Sequence, residues 1–251
     1  MQFLDVGQAD AAIVVCDNEI LMIDGGNAAD SQFIYSYLSN TLNIEHIDYM
    51  VSTHPHEDHV GGLAAALNAC TVGTVYSPVK EYDDKPFNSF LKYVTEQGKE
   101  IVIPRRGDTF NVGGAIVTFL SEADESFDTN NASLVLRIDY GKISFLFTGD
   151  IEMEAEDALL TSGVNLKATI LKVGHHGSRS SSSEAFLAAV SPQYAVISVG
   201  TDNTYGHPAQ ETLNRLVLAH ATVLRTDKHG TIIFTSDGEK LGLQLTPRKG
   251  R

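Results

Sequence analysis

Thr53-His54-Pro55-His56-Glu57-Asp58-His59-Val60-Gly61-Gly62 follows an apolar run, Ile47 to Val51, that reads as a buried strand. Three histidines and an aspartate fall within six residues, between a strand end and a glycine pair that opens a helix of small residues. A solvated loop accounts for one histidine. It does not account for four ligand-type side chains at this density, and the stretch reads as a metal site. His54 and His56 are two apart, so in an extended segment their imidazoles share one side, whereas Asp58 and His59 begin the next turn and point elsewhere. The spacing suits one ion on the first pair and a second on the last.

The surrounding 251 residues, 43% of them hydrophobic, are enough for one large domain, and no linker divides them. Ser180 to Ser183 is too short to be a linker and reads as the cap of the helix after it. No apolar stretch approaches the length of a membrane span, and Met1 to Val6 has neither a basic segment nor a signal-peptide core. Because the chain begins almost inside an apparent strand, it is expected to be an excised piece of a longer protein. Cys16 and Cys70 both lie in apolar contexts and read as small core side chains rather than a disulfide. A formal charge of -14 disfavours extended nucleic-acid binding, since phosphate is repelled except where basic groups or metal ions reverse the field locally.

On the N-terminal side, Phe3 to Val6, Ala11 to Cys16 and Ile20 to Ile23 read as short strands, with Asp17-Asn18 as a turn. The third delivers Asp24-Gly25-Gly26, an acid at a strand end followed by glycines that permit close backbone approach. Phe33, Ile34, Tyr37, Leu38 and Leu42 then repeat at helical spacing. Beyond the motif, Leu63 and Leu67 mark a short helix, Thr74 to Tyr76 a strand, and Phe87, Phe90, Leu91 and Val94 the buried stripe of a helix closed by Gly98. Ile101 to Ile103, Ala115 to Leu120, Leu134 to Ile138 and Ile143 to Phe147 read as strands, and the polar, acidic run from Ser121 to Asn131 as a loop.

The second half repeats the logic of the first. Ser144 to Asp150 ends a strand with an acid, as Ile20 to Asp24 does. A helix from about Glu152 to Ser162 follows, then a strand, Ala168 to Val173, that ends in Gly174-His175-His176-Gly177-Ser178. A helix near Ser183 to Val190 and a strand, Tyr194 to Val199, come next. Strand and acid, helix, strand and histidines, helix, strand thus occurs twice in the same order, which reads as a duplication with halves of about 1–120 and 121–251. Asn203-Thr204-Tyr205-Gly206-His207-Pro208 precedes a last helix. Val223-Leu224, Thr231 to Phe234 and Leu241 to Leu245 finish as strands, and Pro247 to Arg251 is expected to fray.

His54, His56, Asp58 and His59, with Asp24 before them and Thr148-Gly149-Asp150 and a later histidine after them, resemble the metallo-β-lactamase superfamily over essentially the whole chain. Within it, Phe3-Leu4-Asp5-Val6-Gly7-Gln8-Ala9-Asp10-Ala11, Lys172 to Ser178 and Tyr205-Gly206-His207-Pro208 resemble the soluble C-terminal domain of ComEC-type DNA-uptake competence proteins, and the related phosphorylcholine esterases. Ala9 stands where that subgroup usually has glycine. The resemblance implies an α+β fold, an αββα four-layer sandwich of two facing mixed sheets flanked by helices. It implies two divalent metal ions, zinc or manganese. His54 and His56 would bind one, Asp58 and His59 the other, and Asp150 would bridge them; of His175 and His176 one would be a ligand, with His176 favoured for the second ion and His175 near the reacting group, although two adjacent residues at a strand end can trade these places.

Many superfamily members carry a further histidine before the bridging acid. None occurs between His59 and His175 here; Asn130 and Asn131 lie near the expected place, and an amide is a much weaker ligand. Asp24 is expected to orient a ligand histidine, and His207 to bind a phosphate or protonate a leaving group. Lys172, Arg179 and the Arg105-Arg106 pair are candidates for a phosphate path or for a solvated face, and His46, His220 and His229 for surface or structural roles.

The implied activity is dinuclear metal-dependent hydrolysis of a phosphate ester, with single-stranded DNA as the implied substrate. The membrane channel domain of a full-length protein is the implied partner, and the implied location is extracytoplasmic. The alternatives are a small-substrate phosphoesterase and a non-catalytic binding module of an uptake machine. β-Lactam hydrolysis is not expected, because the subgroup motifs point away from it and fold alone does not assign chemistry.

Overall fold

Ala11–Cys16 and Glu19–Gly25 form an antiparallel hairpin through Asp17 and Asn18, whose φ values of 50° and 71° are what a tight two-residue turn requires. The computed structural model describes residues 1–124 and 126–246, so the tail expected to fray lies outside the described residues. Its strands in chain order begin with β1 (Gln2–Phe3), β2 (Ala11–Cys16), β3 (Glu19–Gly25), β4 (His46–Val51), β5 (Thr71–Tyr76), β6 (Ile101–Val102), β7 (Thr109–Val112) and β8 (Ala115–Phe119). They continue with β9 (Leu136–Tyr140), β10 (Ile143–Phe147), β11 (Ile170–Lys172), β12 (Tyr194–Ile197), β13 (Thr222–Arg225), β14 (Thr231–Ser236) and β15 (Leu241–Thr246).

They form two mixed sheets, ordered β15-β14-β1-β2-β3-β4-β5-β6 and β13-β12-β11-β10-β9-β8-β7. In the first, the β2–β3 hairpin is followed by β4 and β5 in parallel; in the second, the β9–β10 hairpin is followed by β11 and β12 in parallel. The sheets exchange strands across position 120: β7 and β8 join the second sheet, and β14 and β15 the first.

Three apolar layers hold the four structural layers together. Between the sheets, Phe3, Leu21, Ile23, Val51, Phe119, Phe147 and Phe234 interdigitate, with the Phe3 ring 5.4 Å from Phe147 and 6.2 Å from Phe234. Outside the first sheet, Ile34, Leu63, Leu67, Phe87, Phe90 and Val94 pack from the helices Ser31–Ser36, Leu63–Ala69 and Lys85–Glu96 onto Ile13, Met22 and Met50. Outside the second, Leu159, Phe186, Leu187 and Leu216 pack from Met153–Ser162, Glu184–Val190 and Gln210–Leu218 onto Leu146, Leu171 and Ile197. This is the αββα sandwich of two facing mixed sheets. Ser183 caps its helix as expected, its hydroxyl accepting from the Phe186 N–H at 3.2 Å.

Three strand readings change. The first strand is Gln2–Phe3 rather than Phe3 to Val6: after a last bond from the Leu4 N–H to the Ala11 carbonyl at 2.9 Å, the chain turns through Gly7 (φ 77°) and carries Asp10 beneath the site. Leu134 and Val135 do not join β9, because their N–H groups are used on the Thr53 carbonyl (2.8 Å) and the Ser121 hydroxyl (2.7 Å). Thr109–Val112, not foreseen, pairs with Ala115–Phe119 across Gly113-Gly114. Cys16 and Cys70 are both free thiols.

Candidate metal centre

Asp24 ends β3, the His54 to His59 loop leaves β4, Asp150 follows β10 and His175-His176 follow β11. Because β3 and β4 run parallel, as do β10 and β11, these exits lie at one edge of each sheet and meet across the sandwich. Two glycines set the approach. A Cβ on Gly62 would stand 2.0 Å from the Gly25 carbonyl oxygen, so the motif can close on the β3 exit only with glycine there. Gly149 (φ +50°) turns the chain so that Asp150 faces inward and its N–H meets the Ser133 hydroxyl at 3.1 Å. Asp24, His175 and His176 themselves have φ values of 57°, 47° and 51°, a left-handed backbone that non-glycine residues adopt at a cost and that concentrates at functional sites.

Asp150, buried, is the centre. His59 Nε2 lies 3.3 Å from its Oδ1, and His176 Nε2, His175 Nε2 and His54 Nε2 lie 3.7, 3.8 and 4.0 Å from its Oδ2. Asp58 Oδ2 is 3.0 Å from His176 Nε2 and 3.9 Å from His59 Nε2. The two motif pairs do not point apart, as the spacing had suggested: the His54 and His59 rings are 4.0 Å apart, closer than the 4.9 Å between His54 and His56. The short helix Glu57–Val60 turns His59 back under the loop. His56 is half-buried and lines the cleft above.

The second ring nitrogens are already engaged. His59 Nδ1 is 2.9 Å from Asp24 Oδ2, His176 Nδ1 is 2.9 Å from the Ser198 carbonyl, and His175 Nδ1 is 3.1 Å from Glu152 Oε1. An N–H at each of these atoms leaves Nε2 with its lone pair turned towards Asp150, the tautomer a metal needs. Asp24 is in turn fixed by the Thr53 N–H and hydroxyl, both at 2.7 Å. His54 Nε2, His59 Nε2 and Asp150 Oδ1 are buried without a hydrogen-bond partner. Unpartnered ligand atoms converging on one point fit a divalent cation, which would displace the protons held there. Asp58, His59, Asp150 and His176 have ligand atoms within 4.8 Å of one another.

The electrostatics point the same way. Burial alone would lower His59 and His176, but Asp150 and its neighbouring carboxylates outweigh it and hold both above the ordinary histidine value, His59 well above. Burial would raise Asp58 and Asp150, but His59 and His176 pull both below the usual range, Asp150 well below. His54, fully buried beside His59, falls well below 6.5. Burial raises Asp24, opposed by His59. The cluster therefore attracts positive charge.

Of the two asparagines, Asn130 lines the cleft with its Oδ1 buried and unpartnered, whereas Asn131 accepts from the Glu152 N–H at 2.9 Å and so holds the Asp150 loop. His207, also in the cleft, has its ring 5.5 Å from His175; burial and then His175 lower it to about 4, so it is neutral near pH 7. Lys172 does not line a phosphate path. It is buried 2.7 Å from Asp10 Oδ2 and donates to the Val173 carbonyl at 2.9 Å. Arg105 and Arg106 are exposed outside the cleft, with Arg106 3.8 Å from Glu122. His46 and His229 bond to Thr71 and to the Arg225 backbone, away from the centre.

Asp10, Glu152 and Gln8 are site components that sequence reading missed. The Asp10 N–H donates to the Asp58 carbonyl at 3.0 Å, its own carbonyl accepts from Gly26 at 2.7 Å, and its Oδ1 lies 3.6 Å from His176 Nδ1. An acid buried between two apolar strands, and a lysine inside the apolar run Ala168 to Val173, were the available signals.

The sequence model of the Metallo-beta-lactamase superfamily matches residues 4–201. The chain belongs to the metallo-β-lactamase superfamily. This metallo-β-lactamase-fold chain is 32% identical over 252 aligned residues to ComE operon protein 3 of Bacillus subtilis (strain 168), covering 93% of the chain and 32% of that protein. It is 33% identical to Competence protein ComA of Neisseria gonorrhoeae, covering 92% of the chain and 31% of the relative. The chain thus spans about a third of the length of the curated relatives it matches. Among solved structures, the metallo-β-lactamase fold protein YhfI from Bacillus subtilis superposes with a TM-score of 0.56 at 12% identity over 89% of this chain and 95% of the other. At that identity the likeness is one of fold. Members of the superfamily are typically metal-dependent hydrolases.

Proposed function

We propose that this chain is a single metal-dependent hydrolase domain that cleaves phosphodiesters, with single-stranded DNA as its substrate. The observation that carries the reading is the set of four histidine Nε2 atoms within 4.0 Å of the buried Asp150 carboxylate, three of them with Nδ1 within 3.1 Å of a protein oxygen. His54 and His56 would hold one divalent ion, Asp58, His59 and His176 a second, with Asp150 shared; histidine and aspartate donors suit zinc or manganese. When bound, such ions supply a water acidified towards neutrality and positive charge against the phosphoryl oxygens. That local charge lets a chain of net charge -14 take a phosphate ester.

The protein's own groups do the rest. Asp24 fixes the His59 ring through Nδ1, and Glu152, held by the Ser180 hydroxyl at 2.7 Å, fixes His175. His175 faces the cleft with its Nε2 available to carry a proton. His207, neutral near pH 7, donates a hydrogen bond to a phosphoryl oxygen rather than serving as the acid. The similarity to a competence protein supports DNA as substrate, an extracytoplasmic site and a membrane channel domain as partner. No described helix is long and apolar enough to cross a membrane.

Asn130, where many relatives of the fold would place a histidine, favours a second reading, a binding module without catalysis. Turnover of bis-p-nitrophenyl phosphate and of single-stranded DNA, measured with added manganese or zinc and again with chelator, separates the two. Metal-dependent turnover of both is expected. Substoichiometric metal and no turnover with either ion support the module, and cleavage of the small ester alone supports a small-substrate phosphoesterase.

A further inference from the structure

Tyr205 stands at the mouth of the cleft, 73% exposed, with its ring stacked on His207 at 5.8 Å and 26° between planes. The ring thus contacts His207 in an offset stack and is otherwise largely open to solvent. The loop that presents it is tied down: the Asn203 side chain donates to the Gly200 carbonyl at 3.0 Å and the His207 carbonyl at 2.6 Å, and accepts from the His207 N–H at 3.0 Å. The Gly200 N–H is anchored in turn on Gln8 Oε1 at 3.1 Å. An exposed aromatic on a loop braced at both ends is a preorganised surface, and ordering it on binding costs little.

We propose that the exposed ring of Tyr205 is a stacking subsite for the nucleobase next to the scissile phosphate. This rests on the phosphodiesterase reading and specifies its substrate. A protein of net charge -14 gains little from a phosphate backbone beyond its metal centre, so strand recognition has to draw on uncharged contacts, and base stacking is the one available without sequence preference. Among the described residues lining the cleft, Tyr205 is the sole tyrosine, with no phenylalanine. A single flat face suits a planar base; a quaternary ammonium would call for a cage of several rings. A base inside a duplex has both faces covered by its stacked neighbours, so the subsite selects single strands, whose bases can be splayed out.

The chain contains no tryptophan, so Tyr205→Trp places a sole indole at the subsite. Its fluorescence is read with manganese present during titration with a phosphorothioate oligothymidylate and with an abasic phosphorothioate strand of equal length. Quenching by the base-bearing strand, roughly tenfold tighter than any effect of the abasic strand, is expected. Tyr205→Ala should raise KM for single-stranded DNA by a similar factor at unchanged kcat, with Tyr205→Phe near wild type. Equal quenching by the two strands, quenching by choline but not by either strand, or an unchanged KM in Tyr205→Ala overturns the subsite. Quenching without turnover in any variant would instead sink the hydrolase reading and leave the subsite standing.

Discussion

Lys172 Nζ lies 2.7 Å from Asp10 Oδ2, with both side chains buried beneath the candidate metal centre. Asp10 in turn stands 3.6 Å from His176 Nδ1 and 3.9 Å from His59 Nδ1. The ammonium is a resident counter-charge: without it, the His59 ring alone would stand between the Asp10 and Asp24 carboxylates.

Removing one partner of a buried pair leaves the other's charge unpaired, at a cost of about 3–5 kcal/mol. Lys172→Met should destabilise the metal-free protein by that amount in urea unfolding, and Lys172→Met with Asp10→Asn by clearly less. Equal destabilisation in the single and double variants would show that the pair contributes packing and not charge balance.

Asp24→Asn keeps the size of the side chain but weakens the acceptor on His59 Nδ1. Loss of such an orienting partner typically lowers metal affinity 10- to 100-fold. Competition titration with a chromophoric chelator should show a drop of that order, with the far-UV spectrum unchanged. Wild-type affinity in this variant would remove Asp24 from the site.

His59 and His176 are both raised above 6.5, so in the metal-free fold they hold protons that the unfolded chain has lost. The sign follows: their contribution to stability is full below 6.5 and is lost as pH rises through their folded values. His54 and His207, both lowered, act in the opposite sense, but their contribution is complete by 6.5; above that, among the described residues, only the Met1 amine, lowered by burial to about 6, opposes the two. The metal-free protein should therefore lose thermal stability as pH rises above 6.5, while metal affinity rises over the same range because each ion displaces protons. Tm with chelator and calorimetric titration in buffers of different ionisation enthalpy check both. Metal binding without proton release would contradict the assignment.

The elements that carry the site were legible because their signals are local. The apolar run before His54 and the acid after Ile143 to Phe147 each announce a strand end, and the glycine pair after His59 announces the helix that follows. What stayed hidden depends on contacts between distant segments. Thr109–Val112 is short and polar enough to look like loop until it pairs with Ala115–Phe119. Lys172 read as a candidate phosphate contact because its partner, Asp10, lies on the other sheet's side of the sandwich and far away in sequence. The convergence of His54 and His59 was missed because spacing alone does not show that the helix starting at Glu57 folds back under the loop.

The central claim is that Asp150 gathers the metal ions of a phosphodiesterase. Metal content by elemental analysis, taken on the same samples as bis-p-nitrophenyl phosphate turnover, compares the wild type with Asp150→Ala. The expected result is two ions per wild-type chain with turnover, and a folded variant, by circular dichroism, with at most one ion and no turnover. Wild-type turnover in Asp150→Ala would contradict it.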